Sequence, residues 1–398
     1  MPDSRRNSSG LLTAIDLFAG AGGFSLAAQL SGIEVRAAVE IDPYACSTYR
    51  NNLVDAATGF PKLIEGDINL ISWADVLEAA QLARGECSLL LGGPPCQGFS
   101  AHRINNAGVG DPRNELLVRY FDCVKSIQPW AFLVENVAGL LWTRHAAYLS
   151  RFYALAAQSG YKVFKPVLLN SRDFGIPQNR KRVFILGFRS DIKAEPAWPP
   201  QPTHFSPRSV EVTEQRKPAW RTAATVFGRA IKPKDPNRMH MNHSPALIEV
   251  FRSTPLNGGS RCDSQRTLEC HRVHDGHKDV YGRIDPARPG PTMTTACINP
   301  SKGRFVHPTE NHGLSARHAA RFQTFPDFFI FEGGLMAAGR QIGNAVPVEQ
   351  GQYMLSVLRD AIVTFLNQHS AQANQPLSAK ARHAKATNGG TPPRKPRE

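Results

Sequence analysis

The chain has 398 residues, enough for one large domain and a smaller second one whose cores need no disulfide bonds. Lysine and arginine total 47 against 33 aspartate and glutamate, and the resulting net charge of +14 favours a polyanionic partner. Seven irregularly spaced cysteines argue against a disulfide framework, and no apolar run fits a signal peptide or a membrane-spanning helix, so we expect a soluble cytoplasmic protein.

The first predicted unit is a strand, a glycine loop and a helix. Leu11 to Phe18 is apolar apart from Thr13 and Asp16, and it leads into Ala19-Gly20-Ala21-Gly22-Gly23 before the helix-like Phe24 to Leu30. Glycines allow a ligand to approach the backbone closely, and the N-terminus of the following helix attracts a charged group. The order is typical of a nucleotide-binding α/β unit, although a plain tight turn has the same composition.

Two further strands are predicted to end in acids. The strand Val35 to Ile41 is followed by Asp42 and places Glu40 about 20 residues beyond the loop, where α/β folds hold a ribose by its hydroxyls. Glu40 is the better candidate of the two. The segment Lys62 to Ile68 carries Asp67, for which we expect contact with adenine; a turn or helix-capping role is the alternative.

The apolar run Cys87 to Leu91 predicts a buried strand, which Gly92-Gly93-Pro94-Pro95 ends abruptly. Cys96 follows at once and therefore lies on a stiff loop at a strand end. Ligands of α/β sheets bind beyond the carboxyl ends of the strands, so this thiol is expected to face a substrate. A half-buried structural cysteine is the alternative.

Helices and strands continue to alternate, which predicts a mostly parallel sheet. The predicted helices are Pro43–Asn52, Ser72–Arg84, Asn114–Ile127, Ala146–Ser159 and a closing helix Val346–Leu366, and the further strands are Ala131–Val134, Tyr161–Leu169 and Val183–Phe188. From about Arg189 to Pro308 the chain is rich in Pro, Gly, Arg and His with little periodicity, which predicts a second, irregular domain. The C-terminal segment is a low-complexity basic tail.

Six motifs together resemble the bacterial type of DNA cytosine-5 methyltransferases. Gly92 to Ser100, centred on Pro95-Cys96-Gln97, resembles the family's nucleophile loop. The others are Glu135-Asn136-Val137 and Gln178-Asn179-Arg180-Lys181-Arg182, the cofactor loop Asp16 to Gly23, Gln341 to Pro347, which in the family folds back beside that loop, and Gly313 to Phe328, which organises DNA reading. Two positions depart from the pattern, His318 where an acid is frequent and Val348 where proline is commoner.

The resemblance implies an α/β, class I S-adenosylmethionine-dependent methyltransferase fold (Rossmann-like) with a smaller irregular target-recognition domain. It divides the chain into a disordered N-terminus (1–10), a catalytic cofactor-binding domain (11–188), the target-recognition domain (189–312), a segment organising that domain (313–340), a segment returning to the catalytic domain (341–368) and a disordered basic tail (369–398).

The implied activity is methyl transfer from S-adenosyl-L-methionine to C5 of a cytosine flipped out of a specific double-stranded DNA sequence. Cytosine C5 is a poor nucleophile until a thiolate adds to C6, so Cys96 is the nucleophile, Glu135 the acid at N3, and Arg180 and Arg182 hold the base and a phosphate. The cofactor residues so implied are Phe18, Gly20, Gly22, Gly23, Glu40, Ile41, Asp67, Ile68, Pro95, Leu116, Asn344 and Val346. The DNA-contacting residues are Gln97, Ser100, Gln178, Arg266, Thr267, Leu268 and Arg317.

Other readings remain. An amino-methyltransferase would carry an aromatic residue after Pro-Pro, which Cys96 argues against. A related transfer-RNA methyltransferase would share most motifs but should not need about 120 residues between Gly187 and Gly313. A non-catalytic DNA-binding module has no use for Cys96 and Glu135 together. The spacing of Cys262, Cys270, His271, His274 and His277 does not match a standard zinc site, so no metal is expected. The family also implies a monomer, nucleoid association, and either a restriction-modification system with a separate endonuclease or a solitary methylase.

Overall fold

The computed structural model describes residues 11–95, 115–264 and 279–373. The strands are β1 (Thr13–Leu17), β2 (Glu34–Glu40), β3 (Lys62–Glu65), β4 (Leu89–Gly92), β5 (Ala131–Val137), β6 (Tyr161–Val163), β7 (Val167–Asn170) and β8 (Lys181–Arg189). The α-helices are α1 (Gly23–Leu30), α2 (Pro43–Leu53), α3 (Trp73–Ala80), α4 (Glu115–Ile127), α5 (Ala146–Gln158), α6 (Val210–Thr213), α7 (Ala224–Phe227), α8 (Pro245–Ser253), α9 (Ala316–Phe322), α10 (Gly334–Asn344) and α11 (Val348–Ala373). Within these ranges no helix combines the length and apolar character needed to cross a bilayer.

The strands form one sheet in the order β3-β2-β1-β4-β5-β8-β6, with β7 also paired to β8. All pairs from β3 to β5 are parallel, and β8 is antiparallel to β5, β6 and β7. Seven of the described strands therefore share one direction, which confirms the mostly parallel sheet. β8 opposes them because only the short segment 171–180 links it to β7, too little for a crossover helix.

Apolar residues cover both faces of the sheet. In β1, Ala14 faces a core shared with α1, α11 and much of the region beyond residue 189, whereas Ile15 and Leu17 face a second core built with α3, α4 and α5. Alternate residues of a strand point to opposite faces, so each central strand serves both cores. The carboxyl ends of β1, β2, β4 and β5 consequently meet at one edge, where Glu40 and Glu135 lie.

Several predicted elements have different limits in the structure. The expected strand Tyr161–Leu169 is two strands, β6 and β7, interrupted by a segment that contains Pro166, which cannot donate a ladder hydrogen bond. α9 was not anticipated because all seven of its residues are buried, so it lacks the polar face that gives a helical period. The sequence does not predict α10, because the helix begins at Gly333-Gly334, a pair that is typical of turns. α11 reaches Ala373, into the segment expected to be a disordered tail.

The region beyond residue 189 is held together largely by buried arginines. Arg283 has no exposed surface, and its guanidinium donates to the carbonyl oxygens of Phe251, Thr254, His307 and Glu310 at 2.6–3.1 Å. A charged fork with several carbonyl acceptors can organise chain that has little regular structure of its own. The expected irregular region is thus an ordered one, at least over residues 189–264 and 279–333.

Candidate active site

The glycine loop connects β1 to α1 through unusual backbone conformations. Phe18, Gly20 and Gly22 have positive φ angles of 56°, 56° and 94°. At Gly22 a Cβ atom would also overlap the side chain of Leu53, so glycine is required there on two grounds. Gly20, in contrast, has no atom within 4 Å of the position its Cβ would take. The loop therefore borders open space at Gly20.

Glu40 fixes this loop from the end of β2. Its carboxylate accepts hydrogen bonds from the backbone N–H groups of Gly20 at 2.7 Å and Asp42 at 2.8 Å. Asp42 instead caps α2, accepting from the N–H groups of Tyr44 and Ala45. Asp42 thus serves as a helix cap, and Glu40 remains the ligand-facing acid that the sequence predicts.

The other residues expected at the cofactor lie around the same edge. Asp67 accepts hydrogen bonds from the backbone and side-chain amides of Asn69, so it does have the turn role named as its alternative. Ile41 is 64% exposed, whereas Ile68 is buried. The remaining members are exposed or partly buried at Pro95, Leu116 and Asn344.

The C-terminal motif returns to the glycine loop, as the family resemblance implied. A Cβ atom on Gly23 would lie 2.5 Å from the carbonyl oxygen of Val346, so the two backbones are in direct contact. Further along, a Cβ on Gly351 would lie 2.7 Å from that of Ala27, which shows how closely α11 packs on α1. Asn344 ends α10 next to this contact.

Glu135 is the acid that the sequence predicts to act at the cytosine. It is 7% exposed near the end of β5, and Arg182 Nε lies 2.9 Å from its Oε1. Residue 135 pairs with Phe184 across the antiparallel ladder, which puts Arg182 in the diagonal position on the same face. A Cβ on Gly93 would lie 3.7 Å from Glu135 Oε2, so the loop after β4 reaches the carboxylate. Pro95 is the last described residue of this loop. Cys96, Gln97 and Ser100, which the sequence predicts to be functional, lie outside the described residues.

Arg180 belongs to the interior rather than to an open surface. Its guanidinium donates to the carbonyl oxygens of Met293, Gly343 and Ala345 at 3.0–3.2 Å, and Nη2 lies 3.9 Å from Glu135 Oε1. Burial lowers the pKa of Arg180 to about 9. Both Nη groups donate within the protein and the residue is 1% exposed, so we expect the contact with base and phosphate from Arg182 alone.

Gln178 and Arg317 are also buried inside the protein. Gln178 is fully buried, and its amide bonds the carbonyl oxygen of Phe322 and the side chain of Gln323. Arg317 is fully buried as well and pairs with Asp235 at 2.6 Å. We therefore correct both expected DNA contacts to structural roles. Arg266, Thr267 and Leu268, like Cys270, His271, His274 and His277, lie outside the described residues, and Cys262 is exposed.

Asp16, the first residue of the cofactor-loop motif, is a buried acid to which the sequence assigns no role. Asp16 in β1 is 1% exposed and accepts a hydrogen bond of 2.7 Å from Ser25 Oγ, which in turn accepts one from Tyr49. Burial raises the pKa of Asp16 to about 7. The available signal was an acid that interrupts an otherwise apolar strand beside the glycine loop.

Comparison with known proteins gives consistent results. The sequence model of the C-5 cytosine-specific DNA methylase family matches residues 12–359. The type II methyltransferase M1.HphI of Haemophilus parahaemolyticus is 33% identical over 337 residues, covering 84% of this chain and 83% of the relative. M.Sau96I of Staphylococcus aureus is 32% identical over 362 residues, covering 89% and 76%. A prophage-encoded DNA modification methyltransferase from E. coli shares the fold with a TM-score of 0.65 at 24% identity, covering 88% of this chain and 99% of that one.

Proposed function

This chain belongs to the C-5 cytosine-specific DNA methylase family and is a DNA (cytosine-5-)-methyltransferase; on that premise we propose that Cys96 is its nucleophile, Glu135 its acid and S-adenosyl-L-methionine its methyl donor. The observation that carries the proposal is the surroundings of Glu135. This carboxylate is buried at the carboxyl edge of the sheet, is paired with Arg182 at 2.9 Å, and is reached by the loop whose next residue is Cys96.

The chemistry assigns one step to each group. The Cys96 thiolate adds to C6 of the cytosine, and the electrons displaced from the C5–C6 bond make C5 nucleophilic while Glu135 supplies a proton to N3. The ion pair with Arg182, whose Nε lies 2.9 Å from Glu135 Oε1, keeps a cation beside Glu135. When bound, S-adenosyl-L-methionine supplies an electrophilic methyl group. Loss of the C5 proton and of the thiolate, with return of the N3 proton to Glu135, then restores the ring with its new methyl group.

The glycine loop supports the choice of methyl donor. The open space at Gly20 leaves room for a ligand against the backbone, and Glu40 is held beside it by two N–H groups. A carboxylate oxygen has lone pairs beyond those two bonds, which suits a ribose hydroxyl. The exposed side chain of Ile41 offers an apolar surface to an adenine ring. The residues present therefore fit a nucleoside cofactor.

Recognition and partners complete the proposal. We assign sequence reading to residues 189–312, and within them to Arg266, Thr267 and Leu268. Double-stranded DNA is the substrate. Since the relatives named above are type II methyltransferases, we propose a separate restriction endonuclease of the same sequence specificity as partner, with this chain acting as a monomer.

The nucleophile is tested with two variants of the reaction. Cys96→Ser should lose methyl transfer while still binding DNA and cofactor, because a hydroxyl is far less ionised than a thiol at neutral pH. With wild-type enzyme, DNA in which 5-fluorocytosine replaces the target cytosine should give a covalent adduct on a denaturing gel, since fluorine does not leave as a proton does. Near wild-type methylation by Cys96→Ser would contradict the covalent mechanism.

A further inference from the structure

An open cavity of about 400 Å³ lies beside Arg182. It is lined by Asn170, Arg172, Asn179, Lys181, Arg182 and Thr292. Three of these six residues are cations and none is an acid. A cavity of this composition has a positive potential and favours an anionic ligand.

The neutral lining groups add one donor. The backbone N–H of Arg180 donates to Asn170 Oδ1 at 3.1 Å, and no described hydrogen bond engages the Nδ2 group of Asn170. Asn179 Oδ1 accepts from Arg172 Nη1 at 3.0 Å, Asn179 Nδ2 donates to the carbonyl oxygen of Pro289 at 3.4 Å, and Thr292 Oγ1 donates to the carbonyl oxygen of Asn179. The cations therefore carry the preference of the cavity for an anion, with Asn170 Nδ2 as the neutral donor left for a ligand.

Arg172 is held ready by its surroundings. Its guanidinium stacks 3.8 Å from the ring of Trp220, and its Nε lies 3.6 Å from Asp173 Oδ1. Trp220 is fixed in turn by a hydrogen bond of 2.9 Å from its Nε1 to the same oxygen. Asp173 offsets part of the charge, but stacking and hydrogen bonds determine where the fork points. Such preorganisation lowers the entropy cost of binding.

Lys181 supplies a charge of a different kind. It is exposed at the start of β8, and its amine makes no hydrogen bond or ion pair with another described side chain. It directly precedes Arg182, whose Nε contacts Glu135. Arg182 therefore both lines the cavity and contacts the proposed acid Glu135.

We propose that Arg172 and Lys181 form a phosphodiester-binding pocket that takes the DNA backbone next to the methylated cytosine. The inference rests on the proposed function, since it places the DNA backbone beside Glu135. The pocket contributes affinity and position but no sequence preference, as phosphate contacts do.

The test measures DNA binding as a function of salt concentration for Arg172→Gln and Lys181→Gln, using duplexes with and without the methylation site. Each lost phosphate contact should lower the slope of log K against log salt by about 0.9 and weaken binding to both duplexes alike. Lys181→Gln keeps the test sound if Arg172→Gln disturbs folding, because the Lys181 amine makes no hydrogen bond or ion pair with a described side chain. Affinity for S-adenosyl-L-homocysteine should be unchanged in Lys181→Gln.

The matched control is Lys125→Gln, an exposed lysine in the last turn of α4, at the opposite edge of the sheet. Its slope should equal that of the wild type. Slopes equal to wild type in both pocket variants would overturn the pocket proposal, as would a loss confined to the duplex carrying the site. Inorganic phosphate that competes no better than chloride at equal ionic strength would show that the pocket needs the polymer, which supports the assignment. The proposed function would fail separately, through absence of 5-methylcytosine with wild-type enzyme.

Discussion

Asp16 is an acid buried in the middle of a strand that otherwise carries apolar side chains. Desolvation raises the pKa of Asp16 from 3.8 to about 7, and the hydrogen bond from Ser25 opposes this only in part. The folded protein therefore holds a proton that the unfolded chain releases between roughly pH 4 and pH 7. In that window the contribution of Asp16 to the free energy of unfolding falls as pH rises, and above it the contribution stays constant.

Replacing Asp16 by Asn should remove this pH dependence. The amide keeps the shape of the side chain and an oxygen acceptor for Ser25, and it has no charged form. We expect Asp16→Asn to raise the melting temperature relative to wild type more at pH 8 than at pH 5. Expressed as free energy of unfolding, the effects at the two pH values should differ by an amount on the order of a few kcal/mol at most. Thermal unfolding of both proteins at both pH values measures it, and histidine titration cancels in the comparison. Equal effects at pH 5 and pH 8 would contradict the assignment.

The motif Gln178 to Arg182 shows what single residues reveal in advance and what they do not. The motif identifies the residues of the site. Gln178, Arg180 and Arg182 alternate along the segment that leads into β8, so from the sequence each of them could face the substrate. Contacts from distant segments decide among them, because the amide of Gln178 bonds Gln323 and the fork of Arg180 bonds Met293 and Gly343. No local pattern contains those partners, so the fold is needed to show that Arg182 Nε lies 2.9 Å from Glu135 Oε1 while Arg180 Nη2 lies 3.9 Å from it.

The contact between α1 and the segment before α11 closes the glycine loop from the far end of the chain. Because Gly23 touches a backbone oxygen of Val346, even one methyl group at Gly23 must displace the C-terminal motif. That motif carries Asn344 and Val346, both proposed to bind the cofactor. Cofactor affinity should therefore depend on the size of residue 23 although it need not touch the cofactor.

Gly23→Ala should weaken binding of S-adenosyl-L-homocysteine on the order of tenfold, as expected for overpacking against atoms that cannot rotate away. Isothermal titration calorimetry measures the change. The matched control is Gly32→Ala, where a Cβ would meet no atom within 4 Å but φ is +72°. That variant should lose about 1 kcal/mol of stability and keep its affinity. Similar cofactor affinities for the two variants would argue against the contact.

Elements with a clear period were predictable and those without one were not. The limits of α2 and α5 are within one residue of expectation. The cap Asp42 and Pro43 mark the start of α2, whereas α5 has no side-chain cap. α9 is buried on all sides and includes Arg317, His318 and Arg321, which a sequence pattern presents as a polar segment. Arg317 pairs with Asp235, which is distant in the sequence, and Arg321 pairs with Asp327 across a turn. Tertiary pairing of this kind leaves no local signal.

At the level of the whole protein, we propose that catalysis and sequence reading fall to different parts of the chain. The sheet carries Glu135 and Arg182 and must treat every flipped cytosine alike. The proposed reading residues lie in the region beyond residue 189, which buried arginines such as Arg283 hold in shape. A good base contact contributes ~1–3 kcal/mol of discrimination between sequences.

Thr267→Ala and Arg266→Ala should change which sites are methylated, whereas Glu135→Gln should lower the rate at every site by a common factor of about 100 or more. Methylation of a randomised DNA pool followed by bisulfite sequencing measures both effects at once. Arg252→Gln, an exposed position on α8 in the same region, serves as the control with an unchanged profile. An altered profile for Glu135→Gln, or unchanged profiles for both recognition variants, would refute this division.

The path of the chain from Gln178 to Phe184 is anchored at both ends. The N–H of Asn179 bonds the carbonyl oxygen of Gly290, and Phe184 pairs with Glu135 in the ladder. Side chains alternate across a strand, so one residue gained or lost between these anchors would turn Arg182 to the other face and leave Glu135 without its cation. Natural insertions and deletions should therefore accumulate in segments such as 190–222, while this stretch keeps a constant length across descendants of the same ancestor.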